Sequence, residues 1–142
     1  MMTQNYPPLW ARILVGFIGN FALLAITAAV FGDPLVQPRF FPELASDNPN
    51  IVLILGGALL NSILLALIYP SFNIDVSHGW FGNTARIAIP LGLAVYFATH
   101  MVQAGYINVS ATGWLLEGLY DSTAPMAAIF AMAFLTYRRS RA

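Results

Sequence analysis

Four long stretches of this chain, residues 13–32, 48–74, 87–116 and 122–137, carry no Asp, Glu, Lys or Arg, and the charges gather between them. A hydrocarbon core about 30 Å thick is crossed by roughly 20 helical residues. The pattern predicts an all-α integral membrane protein of one domain, residues 1–142, with four transmembrane helices near residues 10–31, 51–69, 85–106 and 112–137. Consecutive spans joined by short connections form an antiparallel bundle with both termini on one side. Composition agrees: 58% of residues are hydrophobic and 8% charged, against about 25% charged in soluble domains.

The balance of charge narrows the partners. A net charge of zero and a pI near 6.7 leave no basic face for phosphate backbones, so nucleic acid is not an expected partner. With no cysteine, disulfides, iron–sulfur ligation, thiolate nucleophiles and cysteine zinc sites are excluded. Arg12, Arg86, Arg138, Arg139 and Arg141 fall on the side of the termini and the second connection, and Arg39 on the other. The positive-inside rule makes the terminal side cytoplasmic. The first span reads as a retained helix and not a signal peptide, because its run is long, its flank carries only Arg12 and no clean cleavage site follows.

Aromatic residues mark the expected interfaces, with Trp10, Tyr69, Trp80, Phe81 and Tyr137 at the inner one and Phe40, Phe41, Tyr106 and Trp114 at the outer one. Pro34, Pro38, Pro42 and Pro49 keep the first connection from forming a long helix. The second connection, with Gly79 and Gly82 around Trp80 and Phe81, is short enough to form an αα-hairpin lying on the membrane.

Polar side chains at membrane depth must find partners inside the bundle. Asn20 and Asn61 both lie roughly 12 Å from the cytoplasmic end at about 1.5 Å per residue, so a hydrogen bond between them is expected. Gly16 and Gly19, with Gly56, Gly57 and Ala58, would let the first two helices approach closely.

A second cluster combines His100 and Gln103 on the third span with Glu117 and Asp121 on the fourth. His100 lies roughly 21 Å and Asp121 roughly 25 Å above the inner interface, so an antiparallel hairpin brings them together. Three readings are open. The cluster can be a structural pair that fixes hairpin register, or a proton or cation relay with His100 as the exchangeable base. Alternatively, His100 is an axial ligand to a haem or chlorophyll-type pigment, although Tyr96 places a bulky ring one turn below and His78 is too far away to be a second ligand.

Pro90 and Pro125 predict kinks inside the third and fourth spans. Ala124 with Ala128, and Ala127 with Ala131, form a close-packing surface on the last helix. Asn108 opens a glycosylation-type triplet in an outer loop. No phosphate-cradling glycine loop, HExxH pair, serine elbow or paired-carboxylate arrangement is present, so no catalytic residue, metal site or enzyme activity is expected.

The segments LILGGALLNSILLALIYP, GNTARIAIPLGLAVYF and GWLLEGLYDS, in this order after a proline-rich outer segment, are similar to those of small uncharacterised bacterial four-helix inner-membrane proteins. That resemblance implies the fold and a multi-pass location in the bacterial inner membrane, and transfers no site residue. The expected role is a non-catalytic accessory subunit without cofactor, embedded in the lipid bilayer and packed against other membrane protein subunits, as in a respiratory or photosynthetic assembly. The alternatives are a small proton or solute transporter or channel, and a haem- or pigment-binding subunit using His100.

Overall fold

The structure is a computed structural model that describes residues 6–27, 29–30, 51–105 and 110–142. Those residues are helical apart from short turns and extended links, with no strand among them. The elements are α1 (Leu9–Thr27), α2 (Ile51–Ile68), α3 (Trp80–Gly92), α4 (Ala98–Ala104), α5 (Ala111–Asp121) and α6 (Thr123–Ser140). Three continuous stretches have the length and hydropathy of membrane spans, namely Ile51–Phe72, Trp80–Ala104 and Ala111–Ser140; a shorter apolar helix covers Leu9–Leu23. The first connection, with its prolines and Phe40 and Phe41, and Tyr106, Asn108 and Val109 lie outside the described residues.

Local chemistry sets the boundaries. The Pro8 carbonyl accepts the Ala11 and Arg12 N–H groups at 3.0 and 3.1 Å and starts α1. Pro70 opens a 3-10 turn, Tyr69–Phe72, that closes on Asn73 in the left-handed conformation at φ 48°. Gly79, at φ 67°, reverses the chain immediately before α3. Helix therefore begins at Trp80, five residues before the expected start at 85. Two bonds hold the reversal, because the Asn83 amide donates to the carbonyls of Asp75 and His78 at 2.9 and 2.7 Å.

Both prolines leave a mark. A widened π turn, Leu93–Phe97, follows Pro90 within one turn and separates α3 from α4. Pro125 has no N–H for the Asp121 carbonyl and its ring crowds that carbonyl. The last stretch accordingly breaks at Ser122, whose hydroxyl turns back to the Gly118 carbonyl at 2.6 Å.

Helix α1 packs mainly on α6 and α2, and α3 packs on α6, so α1 and α6 form the centre. The closest approaches use glycine. A Cβ added at Gly19 would lie 2.9 Å from the Ala127 carbonyl, and one at Gly92 would lie 2.6 Å from the Ser122 carbonyl. The alanine ladder of α6 thus faces α1.

The core sits at the end of the bundle where Tyr6 and Tyr137 pack, around Leu65, Tyr69, Ile74, Val76, Ile129 and Met132. Tyr69, expected at the interface, is 1% exposed. The Thr136 hydroxyl donates to the Met132 carbonyl at 2.8 Å, so the Tyr69 hydroxyl donates to Thr136, at 3.2 Å. Trp80 likewise stacks on Tyr137 at 5.8 Å and meets Phe130 edge-on, so it is bundle packing as well as interface. By contrast α2 turns most of its length outward, with Val52 and Leu53 exposed to 74% and 72%. An apolar face of this size is suited to lipid and not to water.

Candidate functional site

The π turn, α4 and α5 assemble the polar cluster. Tyr96, His100 and Gln103 lie at i, i+4 and i+7, and so do Trp114, Gly118 and Asp121, which gives each helical stretch one matching face. Gly118 makes the contact between the two faces possible. A methyl group there would lie 2.6 Å from His100 Cβ and 2.7 Å from Cγ, so the imidazole rests directly on the α5 backbone. The Trp114 ring covers the imidazole at 4.8 Å between centroids.

The hydrogen bonds of His100 fix its protonation pattern. Its Nδ1 lies 2.9 Å from the Tyr96 carbonyl, which can only accept, so Nδ1 carries a proton. Nε2 then faces Asp121 Oδ2 at 3.9 Å, the two side chains being 12% and 22% exposed. The pair expected from helix depth is brought together. Around it, the Trp114 indole N–H donates to Gln103 Oε1 at 3.2 Å, and the Tyr120 hydroxyl donates to Glu117 Oε1 at 3.3 Å. Gln103 is therefore held beside His100 through Trp114, while Glu117 is held by Tyr120.

The amide pair is arranged differently from expectation. Asn20 Nδ2 donates to the Ala58 carbonyl at 3.3 Å and to Ser62 Oγ at 3.4 Å, and the Ser62 hydroxyl donates to the same carbonyl at 2.7 Å. Ala58 and Ser62 are one turn apart on the α2 face toward α1, and Asn61 is rotated about 100° from Ser62. Asn61 Nδ2 is buried without a partner; among the described residues only Arg12 Nε and Nη1 share that condition. Gly16 sits at ordinary contact distance from Met132, Ser62 and Ala128, as a packing residue should. Gly57 does not pack, since a Cβ there would meet nothing within 4 Å.

The reason is a cleft. A half-open cavity of about 260 Å³ separates α2 from the π turn and α5, lined by Asn20, Leu53, Ile54, Gly57, Ala58, Asn61, Tyr96, Asp121 and Ala124. It joins the two polar groups that sequence placed at different depths. Residues 54, 57, 58 and 61 follow i, i+3, i+4 and i+7, the signal by which this lining face of α2 was readable. Trp114, Tyr96, Gly118 and Ser62 are the site residues that sequence reasoning missed or assigned elsewhere.

A haem or chlorophyll-type group does not fit His100 as placed. Nδ1 is bonded to a carbonyl, Nε2 faces Asp121, and the ring lies between Trp114 and Gly118, so axial ligation would require the imidazole to leave its seat. No protein-family model, curated protein or solved structure matches the chain.

Proposed function

We propose that the protein is a small multi-pass transporter or channel of the bacterial inner membrane, with four spans and both termini cytoplasmic. In this reading the His100–Asp121 pair takes up and releases a proton inside the membrane. Arginine asymmetry supports the orientation. The observation that carries the reading is the meeting of an imidazole and a carboxylate, 3.9 Å apart, with the carboxylate residue lining the cleft. Water-poor surroundings make an isolated charge costly. The pair therefore favours two states, both neutral or both charged, and one proton is common to them. Asn61, Asn20 and Tyr96 extend the polar lining toward α2.

Proton flux in vesicles tests it. Purified protein in proteoliposomes with an imposed pH gradient is expected to dissipate that gradient faster than protein-free vesicles, and Asp121→Asn and His100→Gln are expected to abolish the excess while retaining folded protein. Flux that is unchanged in both variants rejects the relay.

A non-catalytic subunit is the second reading, favoured by the outward face of α2. Gly56 meets nothing within 4 Å and lies beside the exposed Val52 and Leu60, a notch into which a partner helix can pack closely. Stable co-purification of another membrane protein, lost in Gly56→Phe, is the expected result for it.

A further inference from the structure

The cleft has a composition that singles out one class of ligand. Its walls are apolar at Leu53, Ile54, Ala58 and Ala124, one aromatic side chain, Tyr96, lines it, and one acidic group, Asp121, closes it. No basic side chain lines it. An anion would meet uncompensated repulsion from Asp121, and a wholly apolar molecule would leave that carboxyl group desolvated without a counter-charge. A cation with an apolar body is favoured by the carboxylate, the Tyr96 ring and the aliphatic walls together. At about 30 Å³ for each water, 260 Å³ holds about nine waters, the room taken by a small organic molecule.

We propose that the cleft binds a small organic ammonium ion, and that its positive charge replaces the proton held by the His100–Asp121 pair. This rests on the reading of that pair as the proton carrier. Asp121 is reached from two sides, by His100 Nε2 at 3.9 Å and by the cleft. Either a proton or a cation neutralises it, and the two compete. In the exchange the ammonium enters beside the carboxylate, one proton leaves the pair for bulk water, and no covalent bond to carbon changes. The titratable groups that bear on Asp121 are His100 on α4, Tyr96 on the π turn and Glu117 on its own helix. The cleft residues of α1 and α2, Asn20 and Asn61, do not titrate.

The test uses benzyltrimethylammonium, which cannot itself change protonation, and its uncharged isostere neopentylbenzene. Full-length protein is placed in nanodiscs of phosphatidylglycerol, which has no ammonium headgroup. Saturable binding with release of one proton per cation in weakly buffered solution is expected, with affinity falling as pH is lowered. Asp121→Asn should weaken binding at least tenfold and end proton release, and Tyr96→Leu should weaken it several-fold. Gly57→Leu keeps every polar group and replaces a helix-weakening glycine, yet its side chain fills the cleft, so it should block binding in a protein that is still folded.

Binding that survives both Asp121→Asn and Gly57→Leu, or neopentylbenzene binding as tightly as the cation, overturns the proposal. Binding lost in phosphatidylcholine nanodiscs would show that a lipid headgroup is the occupant and also overturns it. Absence of cation binding alongside intact proton flux in proteoliposomes removes the ligand class and leaves the proton reading standing. Absence of both removes both.

Discussion

The end of the bundle around Tyr69 and the level that holds Asn61 and Asp121 are built from the same helical stretches by opposite rules. Around Tyr69 the side chains of α2, α3 and α6 interlock and the buried hydroxyls of Tyr69 and Thr136 are both satisfied, although the nearby Arg12 guanidinium keeps two buried nitrogens without a partner. Around Asp121, α2 makes little contact with α3 to α5, a cavity opens, and an amide nitrogen is left without a partner. Close packing defines one unique arrangement and leaves no room for a ligand. A cleft that keeps unsatisfied polar groups surrenders some stability and gains a place for something to bind.

Side-chain truncation should separate the two regions most. Ile129→Ala removes a fully buried group from the packed end around Tyr69. It is expected to cost stability near the lower end of the about 2–5 kcal/mol known for such changes in cores, because lipid, unlike water, does not penalise the exposed apolar remainder. Leu59→Ala, on the exposed face of α2, should change it by less than about 0.5 kcal/mol. Thermal unfolding in detergent measures both, and equal losses would break the comparison.

Two glycines sharpen it further. Gly118→Ala drives a methyl group into His100 and is expected to destabilise by about 1–3 kcal/mol while displacing the imidazole from Asp121. Gly57→Ala meets open space and should stabilise α2 by up to about 1 kcal/mol through helix propensity. The same sign for both would show that the cleft is closed in the membrane.

The amides come next. Asn20→Leu should cost about 0.6 kcal/mol, the average worth of a hydrogen bond inside a membrane bundle, whereas Asn61→Leu should be neutral or stabilising. In double-mutant cycles Asn20 should couple to Ser62 and be additive with Asn61. Coupling between Asn20 and Asn61 would restore the direct bond expected from depth alone.

The smallest effect belongs to the exposed turn. The hydroxyl and backbone N–H of Ser77, and to a lesser degree His78, hold the Asp75 carboxyl below its ordinary titration range. A depressed folded-state pKa gives stability that is present above the unfolded value and is lost as pH falls through the folded one. Asp75 is fully exposed, so Asp75→Asn should leave the midpoint of unfolding almost unmoved at neutral pH. A marked shift would mean that this turn holds the packed end together.

Much of this contrast was legible in the residues. Uncharged run lengths mark the helical stretches, and Pro125 marks an irregularity in the last one, whose position at Ser122 only the structure places. Equal depth gave the His100–Asp121 meeting, because a rise of about 1.5 Å per residue is a reliable ruler. Depth carries no information about rotation, so it pairs Asn61 with Asn20 although the adjacent Ser62 holds that face. Composition was equally silent on Tyr69 and Trp80. Aromatic rings near a helix end suit both an interface and a core, and the choice depends on what the reversal at Gly79 brings against them. The small size of Gly118 mattered only once His100 was known to lie opposite.

The account turns on Asp121 and His100 sharing one proton, and infrared difference spectroscopy across a pH titration observes that proton directly. The carboxylic-acid carbonyl band assigned to Asp121, by its loss in Asp121→Asn, should change in step with the imidazole bands of His100, and His100→Gln should uncouple the two. A carboxylate ionised throughout the titration, or an Asp121 band indifferent to the replacement of His100, would contradict it.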